Sequence, residues 1–272
     1  MSWIDALILG IVQGLAEYLP ISSSGHLEIF RDILGLQLSG ADALEFDVAL
    51  HVATVLSTIV VLWKEFVPLC KSFFTIKMDK NFYYVCKILL SCIPVAIVGL
   101  CFKDFVESFF GGSLTTVGIC LLVTAALLAF AYYFRNPARE ARHHETGREI
   151  TWLDAFIIGC AQAVAVLPGL SRSGTPIATG LLLGDKRSSM AQFSFFMVII
   201  PILGEALLDV KDMIGGEGAS EAIGTIPLVV GFIASFVVGC IACKWMIELV
   251  KKGKLVWFSL YCLAVGILCI CW

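Results

Sequence analysis

Two stretches of the sequence carry no charged residue over a length that crosses a lipid bilayer, Leu114–Phe134 and Ala222–Cys243. A helix needs roughly 20 apolar residues to cross the hydrocarbon core. Four further apolar runs are shorter or contain one or two titratable residues: Phe46–Trp63, Ile88–Phe102, Met190–Leu208 and Leu255–Trp272. Because lipid satisfies no backbone hydrogen bonds, such runs fold as helices. The sequence predicts an all-α integral membrane protein with six transmembrane helices.

The composition favours the same class and excludes others. Of the 272 residues, 59% are hydrophobic and 15% charged, against about 25% charged in soluble domains. The net charge of -3 gives no field for a polyanion, so we expect no nucleic-acid partner. The eleven cysteines lie mostly in apolar runs, and the Cys240–Cys243 pair has no second pair or histidine nearby. They are interpreted as apolar filler.

An internal repeat organises the chain. Residues 3–26 and 152–175 align without a gap at an offset of 149, with ten of 24 positions identical. Each copy opens an apolar segment broken by Pro, Gly and Ser, which predicts re-entrant helical hairpins at 2–36 and 151–185. The prediction is a single membrane domain over 1–272. Its parts are a first repeat at 1–134, a cytoplasmic linker at 135–150 that holds His143 and His144, and a second repeat at 151–272.

Each repeat then has one hairpin and three spans. Since three is odd, the repeats have opposite orientations, as in inverted-topology transporters. This arrangement places fifteen of the 19 Lys and Arg residues on one side of the membrane and three on the other. The positive-inside rule makes the first side cytoplasmic and both termini external.

Local motifs define the two hairpins. Ser2-x-x-Asp5 and Thr151-x-x-Asp154 are capping boxes, so both aspartates are interpreted as caps. Helices are predicted to about residues 19 and 167, with Pro20 and Pro168 near the breaks. Polar turns follow each helix, and we expect the two tips to meet inside the bilayer around a polar cavity.

Arg172 is the most expensive of these residues to bury in a membrane. Ser171, Ser173 and Gly174 surround it, and the backbone amides of such a turn, together with a helix N-terminus, favour a tetrahedral anion. The alternative is an internal salt bridge between Arg172 and Glu17.

The first hairpin carries different chemistry. Glu17 lies four residues after Gln13, on one helix face, and is a candidate for metal binding or proton transfer, or else a structural partner of Arg172. His26 follows the serine-rich turn and is a candidate base, acid or nucleophile, the alternative being a structural histidine. The serines of this turn are Ser22, Ser23 and Ser24.

Three titratable residues lie in predicted spans. Asp47 and His51 are four residues apart on one face, and we expect them to support the site from its surroundings. Glu205 has no partner that the sequence identifies.

These motifs resemble the undecaprenyl-pyrophosphate phosphatase family, which is associated with bacitracin resistance. The resemblance rests on Gln13-x-x-x-Glu17, the SSSGH sequence ending at His26, and PGLSRSG from Pro168 to Gly174. It implies a bacterial inner-membrane enzyme that converts undecaprenyl pyrophosphate to undecaprenyl phosphate, the lipid carrier for peptidoglycan and other envelope polymers. It also implies an Mg²⁺ or Ca²⁺ ion, a site open to the outer face, and a second copy of the chain as a candidate partner.

By position, the resemblance assigns the metal motif to Gln13 and Glu17, the reactive pair to Ser23 and His26, and phosphate binding to Arg172. Ser22, Ser24, Ser171, Ser173 and Gly174 are the further phosphate-binding candidates. His26 then activates water or Ser23, or attacks the phosphorus itself. Two departures matter: Gln13 supplies no second carboxylate, and Pro176 stands where the family has Thr, leaving Thr175 or Thr179 as substitutes.

A transporter or flippase of a lipid-linked or small anion is the alternative, because the inverted repeat alone is typical of transporters. The Ser, His and Glu side chains near an Arg favour hydrolysis.

Overall fold

The computed structural model describes residues 1–36, 38, 40–102, 105, 113–134, 147–212 and 223–272. Within them the chain forms eleven helices and no strand. The first repeat contains α1 (Trp3–Ala16), α2 (Ser23–Ile33), α3 (Gly40–Val61), α4 (Trp63–Phe74), α5 (Lys80–Cys101) and α6 (Leu114–Phe134). The second contains α7 (Trp152–Val164), α8 (Gly174–Leu183), α9 (Arg187–Asp212), α10 (Thr225–Lys251) and α11 (Val256–Cys271). Residues 135–146 of the predicted linker, with His143 and His144, lie outside the described residues.

Five of these helices are long and apolar enough to cross a membrane. They lie in α3, α5, α6, α9 and α10. The predicted sixth span, Leu255–Trp272, forms the 16-residue α11, which is shorter than these. The all-helical membrane class is therefore confirmed, and the count of six spans is not. The spans also extend beyond the apolar runs: α5 begins at Lys80 rather than near Ile88, because Asp79 caps its first turn.

Each predicted hairpin is a pair of helices, α1 with α2 and α7 with α8. The non-helical residues between them, 17–22 in the first pair and 165–173 in the second, are called the two breaks. Each first helix begins at its predicted capping box, at Ser2 or Thr151. The helices end at Ala16 and Val164, three residues before the predicted ends. The effect of a proline on the residue before it reaches only Leu19 and Leu167, so the earlier ends come from the turns that follow each helix at Glu17–Pro20 and Ala165–Val166.

The first helix of each repeat packs against the other repeat. Helix α1 lies on α10, and α7, its counterpart, lies on α5. Glycines permit the close approach: a Cβ at Gly10 would lie 2.5 Å from the Gly231 carbonyl oxygen, and one at Gly159 would lie 2.3 Å from that of Ser91. Because the first helix of each repeat packs on a helix of the other repeat, the two breaks lie face to face. The Gly169 N–H donates to Ser22 Oγ (3.1 Å), and Ser173 Oγ donates to the Leu19 carbonyl (3.3 Å).

We predict that Gly159→Ala destabilises the protein, although alanine is the better helix former. The added methyl group would overlap the Ser91 backbone, and overpacking of this kind costs about 1–3 kcal/mol. The matched control is Gly99→Ala, because a Cβ at Gly99 meets nothing within 4 Å. Thermal unfolding in detergent checks the pair. Equal midpoints for the two variants would contradict the packing described here.

Candidate active site between the two chain breaks

The first break places a carboxylate beside a hydroxyl. Glu17 caps the C-terminus of α1, and Ser23 opens α2 after Ser22, whose φ of 70° makes the sharp turn between them. Glu17 Oε2 accepts hydrogen bonds from Ser23 Oγ at 2.7 Å and from Gln13 Nε2 at 3.0 Å. All three side chains are buried. The α1 face that holds Gln13 and Glu17 thus directs the carboxylate at the start of α2.

Arg172, in the second break, does not use Glu17 as its ion-pair partner. Its Nη1 donates to Glu205 Oε2 at 3.0 Å, and its Nη2 donates to His51 Nε2 at 2.7 Å. Since a guanidinium only donates, His51 Nε2 accepts, and the imidazole is the neutral tautomer with its proton on Nδ1. His51 Nε2 also lies 3.8 Å from Glu17 Oε2. His51 therefore lies between the two side chains, bonded to Arg172 and within 4 Å of Glu17 without a bond to it, and Arg172 is also bonded to Glu205.

The net charge of this cluster indicates whether a diphosphate could bind there without a metal cation. One guanidinium stands against the carboxylates of Glu17 and Glu205, which leaves one net negative charge. Such a site would repel a diphosphate unless a cation joined it. The described residues contain no group of three His, Cys, Asp or Glu side chains that could hold a metal. Mg²⁺, however, is commonly held by one or two carboxylates plus the phosphates of a substrate.

An orphaned oxygen supports this donor set. Gln13 Oε1 is buried and has no hydrogen-bond partner among the described residues. A buried carbonyl oxygen without a partner is costly, and a hard cation would satisfy it. The equivalent Gln162 Oε1 of the second repeat is also buried and unpartnered within the described residues, so this oxygen alone does not identify a metal site; the amide and carboxylate oxygens of Gln13 and Glu17 are donor types that would suit a divalent cation.

His26 forms its hydrogen bonds outside the Glu17–Arg172 cluster. Its Nδ1 bonds to the Ser22 carbonyl at 2.8 Å, and its Nε2 bonds to the Tyr261 hydroxyl at 2.8 Å. The carbonyl only accepts, so Nδ1 carries the proton and Tyr261 donates to Nε2. Both ring nitrogens are thus engaged by the protein, and the Ser23 hydroxyl is directed to Glu17 instead.

The sequence missed Tyr261 and the partners of Arg172. Tyr261 is 235 residues from His26, in an apolar run whose pattern marks no special position. Asp47 and His51 separate: Asp47 forms an ion pair with Arg31, and only His51 enters the cluster. Glu205 was recognisable as the lone acid of its apolar run, but its partner was not.

The serines of the two turns mainly hold backbone. Ser171 Oγ accepts from Gly174 N–H at 2.9 Å and lies 3.4 Å from Ser173 Oγ, while Ser24 Oγ lies 3.4 Å from Ser22 Oγ. Pro176 fits the first turn of α8, where a proline is tolerated. The buried Thr175 Oγ1 beside it has no hydrogen-bond partner in the described part of the chain.

A small cavity of about 20 Å³ lies beside the cluster. Its polar wall includes Glu17 and Ser173, and its apolar wall comes from α3 and α9, including Val55, Val198 and Ile202. The cavity has room for about one water molecule, so a larger ligand requires the helices around it to move apart.

Comparison with known proteins identifies relatives along the whole chain. Residues 6–268 match the family described as bacitracin resistance protein BacA. A protein of Bacteroides fragilis named undecaprenyl-diphosphatase is 56% identical over 270 residues, covering 99% of this chain and 98% of its own. Proteins with the same name in Parabacteroides distasonis and Oceanobacillus iheyensis are 56% identical (99% and 98% covered) and 37% identical (96% and 93% covered). The chain therefore belongs to the bacitracin resistance protein BacA family.

Proposed function

We propose that the protein is an undecaprenyl-diphosphatase, which hydrolyses undecaprenyl diphosphate to undecaprenyl phosphate and inorganic phosphate. The observation that carries the proposal is the single cluster formed by the two breaks, with Ser23 and Glu17 from one and Arg172 from the other. The full-length relatives bear that name. The product is the lipid carrier for peptidoglycan and other envelope polymers, which connects the activity to bacitracin resistance.

In this proposal the second break binds phosphate. Arg172 keeps further N–H donors beyond the two bonded to Glu205 and His51, because a guanidinium has five. Ser171, Ser173 and the N-terminus of α8 at Gly174 add hydroxyls and backbone amides nearby. Ser22 and Ser24 contribute from the first break.

Ser23 is the nucleophile that the hydrogen bonds favour. As Ser23 Oγ bonds to the terminal phosphorus, the bridging P–O bond breaks and undecaprenyl phosphate leaves. The hydroxyl proton passes to Glu17 Oε2, which already accepts from it at 2.7 Å. Water then releases the phosphate from the serine. His26, held by Tyr261, positions the start of α2 in this scheme.

Gln13 and Glu17 would hold a divalent cation, Mg²⁺ or Ca²⁺. When bound, it supplies positive charge to the phosphate oxygens and offsets the net negative charge of the cluster. In this proposal the helices around the small cavity beside Glu17 separate to admit the diphosphate, and the prenyl chain extends along the apolar walls of α3 and α9 into the lipid.

For the membrane arrangement we propose an inverted repeat with six spans and two re-entrant hairpins, 2–36 and 151–185. The exchange of partners between α1 with α10 and α7 with α5 supports this symmetry, because each pair is the counterpart of the other. The distribution of basic residues supports external termini and a site open to the outer face of the bacterial inner membrane.

The activity is tested by phosphate release from undecaprenyl diphosphate in detergent. We expect Arg172→Lys to lower turnover at least about 100-fold, about 2.7 kcal/mol, the loss typical of one transition-state donor. A lysine is a point charge that cannot bond to Glu205, His51 and phosphate in the same geometry. The control is Arg148→Lys, which changes the ion pair with Asp154 outside the site. Near-normal turnover by Arg172→Lys would reduce Arg172 to a structural ion-pair partner.

The second test concerns the metal. EDTA should abolish turnover, Mg²⁺ or Ca²⁺ should restore it, and Glu17→Gln should lose most activity at every metal concentration, because the variant lacks the carboxylate. Glu65→Gln, which removes an exposed carboxylate on α4, should respond to metal like the wild type. Full activity in EDTA would contradict metal dependence and leave Glu17 as a proton acceptor alone.

The third test concerns orientation. In a background without the native cysteines, Ile33→Cys should react with a membrane-impermeant thiol reagent added to intact cells, and Met78→Cys should not. Both side chains are exposed, Ile33 at the end of α2 and Met78 between α4 and α5. In inverted vesicles the result should reverse. Labelling of Met78→Cys alone from outside would overturn the proposed orientation.

A further inference from the structure

Glu205 lies on the guanidinium that the proposed function assigns to phosphate, but the two side chains have different surroundings. The Arg172 side chain is only 14% exposed, whereas that of Glu205 is 54% exposed. Arg172 therefore depends on partners from the protein, and Glu205 retains access to its surroundings without Arg172. If the ion pair separates, Arg172 needs another acceptor from inside the protein, whereas the half-exposed Glu205 carboxylate does not.

The position of Glu205 on α9 extends the wall of the cavity. Val198 and Ile202 line the cavity, and Glu205 follows Ile202 by three residues on the same helix face. A Cβ at the neighbouring Gly204 would meet nothing within 4 Å, so the helix is not closely packed there. The carboxylate thus lies at the end of an apolar stripe, with space beside it.

The same guanidinium is attractive to phosphate for the reason that it attracts Glu205. Carboxylate and phosphate oxygens both accept from guanidinium N–H groups, and phosphate brings more charge and more acceptors. Only the Glu205 side of the pair is exposed, so an incoming phosphate can replace the carboxylate on the guanidinium and leave no donor of Arg172 unpaired. His51, on the other Nη, is neutral and can remain in place.

We propose that Glu205 is a counter-ion that occupies Arg172 between turnovers and gives up its place to the terminal phosphate, thereby weakening phosphate binding and aiding product release. This inference rests on the proposed function, in which Arg172 holds the phosphate. Glu205 touches neither the reacting phosphorus nor the nucleophile, and it acts through Arg172.

A role in merely orienting Arg172 predicts the opposite sign. If Glu205 only held the guanidinium in place, its loss would disorder Arg172 and weaken phosphate binding. If it competes with phosphate, loss of its charge strengthens binding. Glu205→Gln separates these roles, because the amide has the size of the carboxylate and an oxygen that can accept from Nη1, but no charge.

The experiment is calorimetric titration of the purified protein with inorganic phosphate in Mg²⁺-containing buffer. We expect the Kd for phosphate to fall about tenfold in Glu205→Gln, because the acceptor that competes for Arg172 Nη1 becomes a neutral amide, which binds the guanidinium more weakly than a carboxylate does. Glu205→Asp, which keeps the charge, and Glu65→Gln, which removes an exposed carboxylate elsewhere, should stay close to the wild type. Turnover by Glu205→Gln should become more sensitive to added phosphate by the same factor.

The dependence on Arg172 completes the test. In an Arg172→Met background, Glu205→Gln should no longer change the Kd for phosphate, because no guanidinium remains to compete for. An unchanged or higher Kd in the single variant, with an unfolding midpoint like that of the wild type, would overturn the proposal. So would an equal tightening in both backgrounds. Phosphate binding does not require turnover, so failure to hydrolyse undecaprenyl diphosphate would contradict the proposed function without deciding the role of Glu205.

Discussion

The burial of Arg172 between apolar helices is the constraint on which the arrangement of the site depends. A guanidinium is costly to place at membrane depth unless its donors are satisfied. The fold meets that cost from two directions, with His51 on α3 and Glu205 on α9. Because His51 also approaches Glu17, the same solution joins the chemistry of both breaks. The backbone around Arg172 is fixed as well, through the bonds from Gly169 to Ser22 and from Ser173 to Leu19.

The internal repeat explains how one architecture supports two kinds of chemistry. Equivalent positions hold Glu17 and Val166, Ser23 and Arg172, and His26 and Thr175. The shared residues build the scaffold: capping boxes begin both first helices, and serine and glycine shape both turns. The differences that change the chemistry lie at or beside the turns, where a carboxylate and a hydroxyl on one side face a guanidinium on the other.

The hydrogen-bond pattern also redistributes the roles that the motifs suggested. Ser23 and His26 are three residues apart on α2, which suggests a pair, yet Ser23 bonds to Glu17 and His26 bonds to Ser22 and Tyr261. Gln13, an amide where a carboxylate would give a second charge, keeps an orphaned oxygen beside Glu17. In each case the role of the residue depends on which of its side-chain atoms forms a hydrogen bond, and a sequence motif does not specify that atom.

The sequence by itself determined the helical membrane class, the internal repeat and the capped starts of α1 and α7, and it identified the two short stretches that the proposed site uses. Those features follow from local physics: apolar length, capping and the effect of proline on the backbone. The tertiary structure decided the pairing. It joined Arg172 to His51 and Glu205 rather than to Glu17, gave Asp47 to Arg31, and placed Tyr261 on His26. Contacts between residues 121 and 235 positions apart depend on how helices from the two repeats cross, and no local pattern encodes that crossing.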